Sequence, residues 1–490
     1  MSRLLIVSNR LPVTLTSDDG EPQVVPSVGG LATGLRGPHA RTGGVWIGWP
    51  GHPEPADARG RAEYAELLAA HGTAPVWLSA AEVTHFYEGA SNGVLWPLFH
   101  YLLDQLPLRV EHWETYEAVN VRFADVVAAH YRPGDLVWVH DYQLMRLPAL
   151  LRARAPGARV GFFLHIPFPC AEVFATLPAR DLVLRGLLGA DVVGFHTAGY
   201  ARHFTFACER LLGARVERAD PGGASSAHAV VAFEGRRVEV GVFPMGVDAA
   251  SFAARAAAPA VDAELATLAG PPGPGRRAGD AADDVALFVG IDRLDYTKGI
   301  PRRLLAFEQL LARHPELRER VRLVQVAVPS RTAVPAYQDF RQQVDGLVGR
   351  INGAFGTARW APVHYLYRSL GDAQLLALYR AARVMLVTPV RDGMNLVAKE
   401  FVACRADEDG VLVLSEFVGA AAELGDAVRV NPYDVDGSAE AYYRALTMPR
   451  EERRARMRTM RERVAGFDVH AWADAYLAAL GGGTPADAGA

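Results

Sequence analysis

Short apolar runs rich in Val, Ile and Phe recur along the chain, and longer stretches with helical spacing lie between them. In the first half the runs are LLIVS (4–8), VWIGW (45–49), LVWVH (136–140), VGFFLH (160–165) and VVGFH (192–196). In the second half they are VALFVGI (285–291), VRLVQVAV (321–328), VHYLY (363–367), VMLVTP (384–389) and VLVLS (411–415). Near-continuous apolar strands alternating with helices predict parallel sheets covered on both faces. PRRLLAFEQLLARH (301–314) is one such helix, with Leu304, Leu305, Phe307, Leu310 and Leu311 on one face.

Between the two sets of strands, residues 253–284 are rich in Ala, Gly and Pro and poor in large apolar side chains. The pattern therefore predicts an N-terminal Rossmann-like domain over 1–250, a linker or loop over 251–284 and a second Rossmann-like domain over 285–465. A C-terminal helix over 466–482 is expected to pack back on the N-terminal domain, and 483–490 reads as a disordered tail. The expected fold class is α/β, with two doubly wound parallel-sheet domains facing across a cleft. Ligands of such sheets sit beyond the carboxyl ends of the strands.

A chain of 490 residues exceeds one ordinary core, in keeping with two or three domains. A net charge of −4 gives no global field for nucleic acid. Cys170, Cys208 and Cys404 are an odd, widely spaced set that fits reduced thiols and a cytoplasmic location. The first apolar stretch, Leu4 to Val7, is too short for a signal-peptide core, and no run is long enough to span a membrane. Only two of the 51 basic residues are lysine, Lys298 and Lys399. An ammonium is a compact, mobile point charge where a guanidinium is a planar fork, so each surviving lysine is a candidate for a specific task.

Unusual polar residues follow the strands. They are Asn9-Arg10, Asp141-Tyr142-Gln143, His165 before Pro-Phe-Pro, Asp292 to Lys298, Pro329-Ser330-Arg331, and Arg391 to Glu400. One polar loop says little, but six at the predicted sheet edges point to a ligand site. Arg293 and Lys298 join a fork and a point charge in one tight loop, which suits a diphosphate; the alternative is pairing with Asp292 or Asp295. The glycine-rich stretch Ser27 to Gly34, with Gly29 and Gly30, lets backbone N–H groups approach an anion, though it matches neither standard nucleotide fingerprint. Asp392 to Glu400 reads as a loop entering a helix whose N-terminus favours an anion, with Glu400 able to accept from ribose hydroxyls. Asp392 reads equally as a helix cap, and Lys399 as a structural residue. Arg10 and Arg331, one from each domain, can clamp a second anion. Tyr87, Trp96 and His165 read either as core or as ligand contacts. No His/Cys cluster has metal-ligand spacing, and the serine-hydrolase elbow is absent.

These clusters, in this order, resemble glycosyltransferase family 20, the trehalose-6-phosphate synthases of GT-B fold. The likeness runs from SNRLP to NPYD (431–434) and includes SVGGLATGL, SNGVLWPLFHY, VWVHDYQL, GFFLHIPFP, RLDYTKGIP, VPSRT, GRINGAFG, TPVRDGMNLVAKE and LSEFVGAAAEL. The resemblance implies transfer of glucose, with retention, from UDP- or GDP-glucose to glucose 6-phosphate, without metal or other cofactor. It places Gly29 and Gly30 at the donor phosphates, and Arg293 and Lys298 on the diphosphate. Asn395, Leu396, Val397, Ala398, Lys399 and Glu400 hold the donor, with Glu400 on the ribose. Asp392 and His165 contact the transferred glucose, and Leu370 lines the base. Arg10, Tyr87 and Arg331 bind the acceptor phosphate, while Trp96 and Asp141 position its sugar. The catalytic set is thus Arg293, Lys298, His165 and Asp392. Leu370 stands where some relatives carry Phe, which leaves UDP, GDP and ADP open as the base. Expected partners are the two substrates and a separate trehalose-6-phosphate phosphatase; a homo-oligomer is allowed, and neither nucleic acid nor membrane is expected. Rival readings are a related glycosyl or pseudo-glycosyl transfer, a sugar-nucleotide epimerase and a non-catalytic sugar-phosphate sensor.

Overall fold

The computed structural model describes residues 2–18, 21–26, 30–55, 57–218, 227–269, 285–331 and 334–482. It divides into two units, one running to Met245 and resuming at Val469, the other spanning Gly246–Asp468. The boundary lies a few residues before the expected position.

The strands of the first unit are β1 (Leu4–Arg10), β2 (Val13–Asp18), β3 (Glu21–Pro26), β4 (Val45–Trp49), β5 (Thr73–Pro75), β6 (Leu136–His140), β7 (Arg159–Phe163), β8 (Val192–Phe195), β9 (Arg215–Arg218), β10 (Ala227–Phe233) and β11 (Arg236–Val242). Among the described residues they form a nine-stranded sheet, β5-β4-β1-β6-β7-β8-β11-β10-β9, and a separate β2–β3 hairpin. From β5 to β11 every pairing is parallel, and β10 and β9 add an antiparallel edge. In β1 the first six positions are buried, as a strand covered on both faces requires. Strand order reverses direction between β1 and β6, and that switch point is where such sheets bind ligands.

The C-terminal helix Val469–Gly481 belongs to this unit. Tyr476 stacks on Trp138 at 4.5 Å between ring centroids, and its hydroxyl donates to the carbonyl of Phe162 at 3.0 Å. Gly194 leaves the room for this approach, since a Cβ there would lie 2.7 Å from the Tyr476 ring.

The second unit holds β12 (Ala286–Arg293), β13 (Val321–Val328), β14 (Val363–Leu366), β15 (Ala382–Val387), β16 (Val411–Ser415) and β17 (Val428–Val430). Its sheet is wholly parallel, in the order β14-β13-β12-β15-β16-β17. Counted within the unit, this is the Rossmann order, with the switch point between β12 and β15. The helix Ile300–Arg313 buries Ile300, Arg303, Leu304, Ala306, Phe307, Leu310 and Leu311, so its inner face includes an arginine, and Leu305 is only half-buried.

The expected linker is helical in its described part. Helices Ala249–Ala256 and Pro259–Ala269 pack inside the second unit, with Ala256 and Val261 buried and Arg380 donating to the Ala256 carbonyl and to Asp262. The remainder of that segment, the 483–490 tail and Gly29 lie outside the described residues. No described helix is long and apolar enough to cross a membrane.

Candidate active site

In the second unit, RLDYTKG closes the end of β12. Arg293 is its last, exposed residue. A short turn, Tyr296–Lys298, then leads to Gly299 at φ 68°, which starts the helix Ile300–Arg313. Glycine is required there by the left-handed backbone, and a Cβ would sit 2.3 Å from the Thr388 carbonyl. The loop after β15 docks on this turn, with Val390 N–H donating to the Thr297 carbonyl at 2.9 Å. That docking brings two motifs, distant in sequence, together. Lys298 Nζ lies 2.5 Å from Asp392 Oδ2, both are largely buried, and Asn395 Nδ2 donates to the same oxygen at 3.0 Å.

Asp295 is fully buried and accepts from the backbone N–H and the hydroxyl of Thr297, from the Tyr337 hydroxyl at 3.0 Å and from Arg331 Nη1 at 3.2 Å. Burial works to raise its pKa, but Arg331, Arg293 and Lys298 together outweigh burial and hold the carboxyl well below the usual range. Beneath this lies Arg303, whose guanidinium reaches Asp292, Gln325 at 2.9 Å, Thr388 at 3.0 Å and the Lys298 carbonyl at 3.3 Å. It ties β12, β13, the loop after β15 and the lysine turn into one network. Asp292 and Asp295 thus take Arg303 and Arg331 as their direct partners, while Lys298 is directed at Asp392.

Asn395, at φ 70°, occupies the cap position of the helix Leu396–Cys404, so Asp392 is not the cap. The first turn of that helix offers the backbone N–H groups of Leu396, Val397 and Ala398. Glu400 accepts from the Tyr379 hydroxyl at 2.7 Å, and burial pushes its carboxyl up. Lys399 points elsewhere. Its Nζ pairs with Glu423 at 2.7 Å with both side chains buried, which is the arrangement expected of a structural lysine. Leu370 is half-buried against the core, two residues before the helix Asp372–Ala381.

In the first unit, β1 ends at exposed Arg10, whose guanidinium lies 4.6 Å over Trp49. Tyr87 and its neighbours lie on a π-helix, Val83–Leu95, which closes with the Trp96 N–H donating to the Ser91 carbonyl. Such wide turns recur at functional sites. Tyr87 faces Trp49 at 6.3 Å, and Trp96 is buried against His100 and Tyr142. Asn92 secures the π-helix by donating to the Tyr87 carbonyl and accepting from Tyr142. Gly30 begins the helix Gly30–Thr42.

Asp141, just after β6, has φ 75° and ψ 170°. This region is close to glycine-only and costs about 1–3 kcal/mol, a strain that clusters at active sites. Its backbone N–H donates to the Phe163 carbonyl at 2.8 Å, and its carboxylate accepts from the His165 N–H at 3.2 Å. The ring of His165 meets His140, with Nε2 3.1 Å from His140 Nδ1, and packs edge-on against His196 at 5.4 Å. Burial pushes the His165 imidazole down to about 3, so it is neutral near pH 7. Sequence reasoning named Asp295 only as a possible ion-pair partner and missed Tyr337, Arg303, His140 and His196. Among the described residues, no group of three or more His, Cys, Asp or Glu could hold a metal ion.

Two Rossmann-type units, one with cations and a helix N-terminus at its switch point and the other with histidines and a strained aspartate beyond its strands, define the class: a GT-B glycosyltransferase fold. The sequence profile described as Glycosyltransferase family 20 matches residues 2–481, and the chain belongs to that family. It is 45% identical to a bifunctional trehalose-6-phosphate synthase/phosphatase of Thermoproteus tenax, over 98% of this chain and 63% of that protein's length. It is 41% identical to a UDP-forming alpha,alpha-trehalose-phosphate synthase of Yarrowia lipolytica, over 98% and 99% of the two chains. It is also similar to the crystal structure of a UDP-forming alpha,alpha-trehalose-phosphate synthase from Burkholderia xenovorans in complex with glucose-6-phosphate. There the TM-score is 0.84 at 36% identity, covering 98% of this chain and 100% of the other.

Proposed function

We propose that this chain is a retaining glycosyltransferase that moves glucose from UDP-glucose to glucose 6-phosphate, giving α,α-trehalose 6-phosphate and UDP. The observation that carries the reading is the meeting of RLDYTKG and TPVRDGMNLVAKE at the β12/β15 switch point, with Lys298 on Asp392. Membership of family 20 and the printed activities of its relatives support the substrate pair.

In the proposed reaction, Arg293 and Lys298 neutralise the diphosphate as the glycosidic bond breaks. The N-terminal amides at Leu396–Ala398 and the backbone at Gly29 and Gly30 add donors for the phosphates, and Glu400 takes the ribose. Asp392 and neutral His165 hydrogen-bond the transferred glucose. Arg10, Tyr87 and Arg331 bind the acceptor phosphate, with Trp96 and Asp141 on its sugar. The acceptor hydroxyl attacks the face the leaving group departs from, and its proton passes to the departing phosphate oxygen. Charge stabilisation at that oxygen replaces a metal. GDP-glucose is the second donor to test, because Leu370 changes the surface beside the base. A phosphatase that removes the product's phosphate is the expected partner, consistent with the bifunctional relative, and the expected location is the cytoplasm.

The test is nucleotide release with glucose 6-phosphate, comparing UDP-, GDP- and ADP-glucose, with the product's linkage read by NMR. Acceptor-dependent release with an α,α-1,1 linkage is expected. Folded protein that releases nothing with any donor overturns the reading.

A further inference from the structure

We propose that His140 is a positioning residue that fixes the tautomer of His165: it donates from Nδ1 to Nε2 of His165, so that His165 carries its proton on Nδ1 and offers that N–H to a substrate hydroxyl. The inference rests on the reading above, in which His165 contacts the transferred sugar.

His140 is the last residue of β6 and is fully buried, so it cannot touch a ligand itself. Its Nδ1 is 3.1 Å from His165 Nε2. Its other nitrogen, Nε2, is buried with no hydrogen-bond partner among the described residues. The aromatic neighbours packed on it are Trp138 at 4.6 Å and His165 at 5.3 Å between centroids. Burial holds both imidazoles well below their ordinary range, so each carries one proton.

Two arrangements satisfy the shared hydrogen bond. If His165 donates, the proton of His140 lies on Nε2, where a buried N–H has no acceptor. If His140 donates, Nε2 is a bare nitrogen without a donor. Orphaned buried N–H groups are the rarer and costlier of the two. The second arrangement is therefore favoured, and it leaves Nδ1–H as the polar atom His165 has for a ligand. The ring cannot readily reorient, because Phe163 packs on it at 4.7 Å, His196 at 5.4 Å, and its backbone is tied to Asp141. The tautomer thus makes His165 a donor to sugar oxygens rather than a base.

Nitrogen-15 labelling of histidine, with long-range nitrogen–proton correlation and assignment by single substitutions, reads the tautomer directly and needs no activity. Nδ1 protonated and Nε2 bare at His165 is expected; protonation on Nε2 overturns the proposal. A kinetic arm uses His140→Leu and His140→Asn. The leucine variant is expected to lose about tenfold to a hundredfold in kcat, with the acceptor KM little changed. Asparagine places an amide donor near the position of Nδ1 and is expected to recover most of that loss. Equal impairment of the two folded variants, or an unimpaired His140→Leu, overturns the proposal. A wild type inactive with every donor sinks the transferase reading, while the tautomer measurement still stands or falls by itself.

Discussion

Beyond β12 and β15 the buried polar groups are chiefly paired ions, whereas at the ends of β6 and β7 the histidines His140 and His165 are neutral rings, with Asp141 beside them. The second unit closes its switch point with Lys298–Asp392 over Asp295–Arg331, and beneath them lies a buried arginine that four elements share. In the first unit His140, His165 and His196, at the ends of β6, β7 and β8, pack among Phe163, Trp138 and Trp472. Even its β1/β4 contact is a neutral bond, Trp46 Nε1 to Ser8 Oγ at 2.7 Å. Burial imposes both solutions: a buried charge must be paired, and burial keeps the His140 and His165 rings neutral. The difference suits the two proposed tasks, since a diphosphate needs countercharge and a sugar needs fixed hydrogen bonds.

The largest effect should come from removing the arginine beneath the ionic side. Arg303→Met leaves Asp292 buried and unpaired, and losing one member of such a pair costs about 3–5 kcal/mol. Hydrogen exchange should show lost protection in β12, β13 and β15, with β1, β6 and β7 unchanged. Uniform loss in both units would break the view that each switch point is held by its own network.

Next is Lys298→Ala. If the ammonium follows charge onto the leaving diphosphate, kcat should fall by about 10²–10³. The circular dichroism spectrum should be preserved, because the lysine pairs at the rim of the network rather than beneath it. Near-normal turnover would remove Lys298 from the chemistry.

The ionic side was the more legible in sequence, because its residues fall in short motifs after strands. Parallel strands were readable as unbroken apolar runs. What escaped was whatever a hydrophobic count ignores. Arg303 shares the inner face of its helix with Ile300, Leu304 and Phe307, and an apolar tally skips it. Tyr337 lies well along the chain from its partner Asp295, and His140 read as the end of a strand. The expected linker over 251–284 is poor in large apolar residues, yet alanine is the best helix former and a small face suffices to pack the helices that run from 249 to 269. The π-helix under Tyr87 has no common sequence signature.

The neutral side makes a prediction about pH. His165 is pushed down to about 3 by burial, against an unfolded value near 6.5. Above that value both states are neutral and pH has no effect through this group. As pH falls below it, the unfolded chain binds a proton that the native ring refuses, so stability drops progressively toward pH 3. His140 is shifted in the same direction and adds to the slope. Thermal unfolding of wild type between about pH 7 and pH 4.5 should therefore lose more than that of His165→Gln over the same interval. Parallel losses would mean that His165 is charged in the folded protein and that the two switch points are less different than they look.

The smallest effect is expected where an ionic pair is structural. Lys399 and Glu423 are buried together at 2.7 Å, and burial draws the ammonium pKa down while Glu423 holds it up. Removing either partner alone strands the other charge. Replacing both, as Lys399→Met with Glu423→Met, removes the Coulombic attraction and the desolvation cost at once, and such replacements are often neutral or stabilising. The double variant should keep its melting temperature and its turnover, in contrast to Lys298→Ala. A folded double variant with weakened affinity for the nucleotide sugar would show that the second surviving lysine also serves the donor, and that pairing with a carboxylate does not by itself separate structural cations from chemical ones.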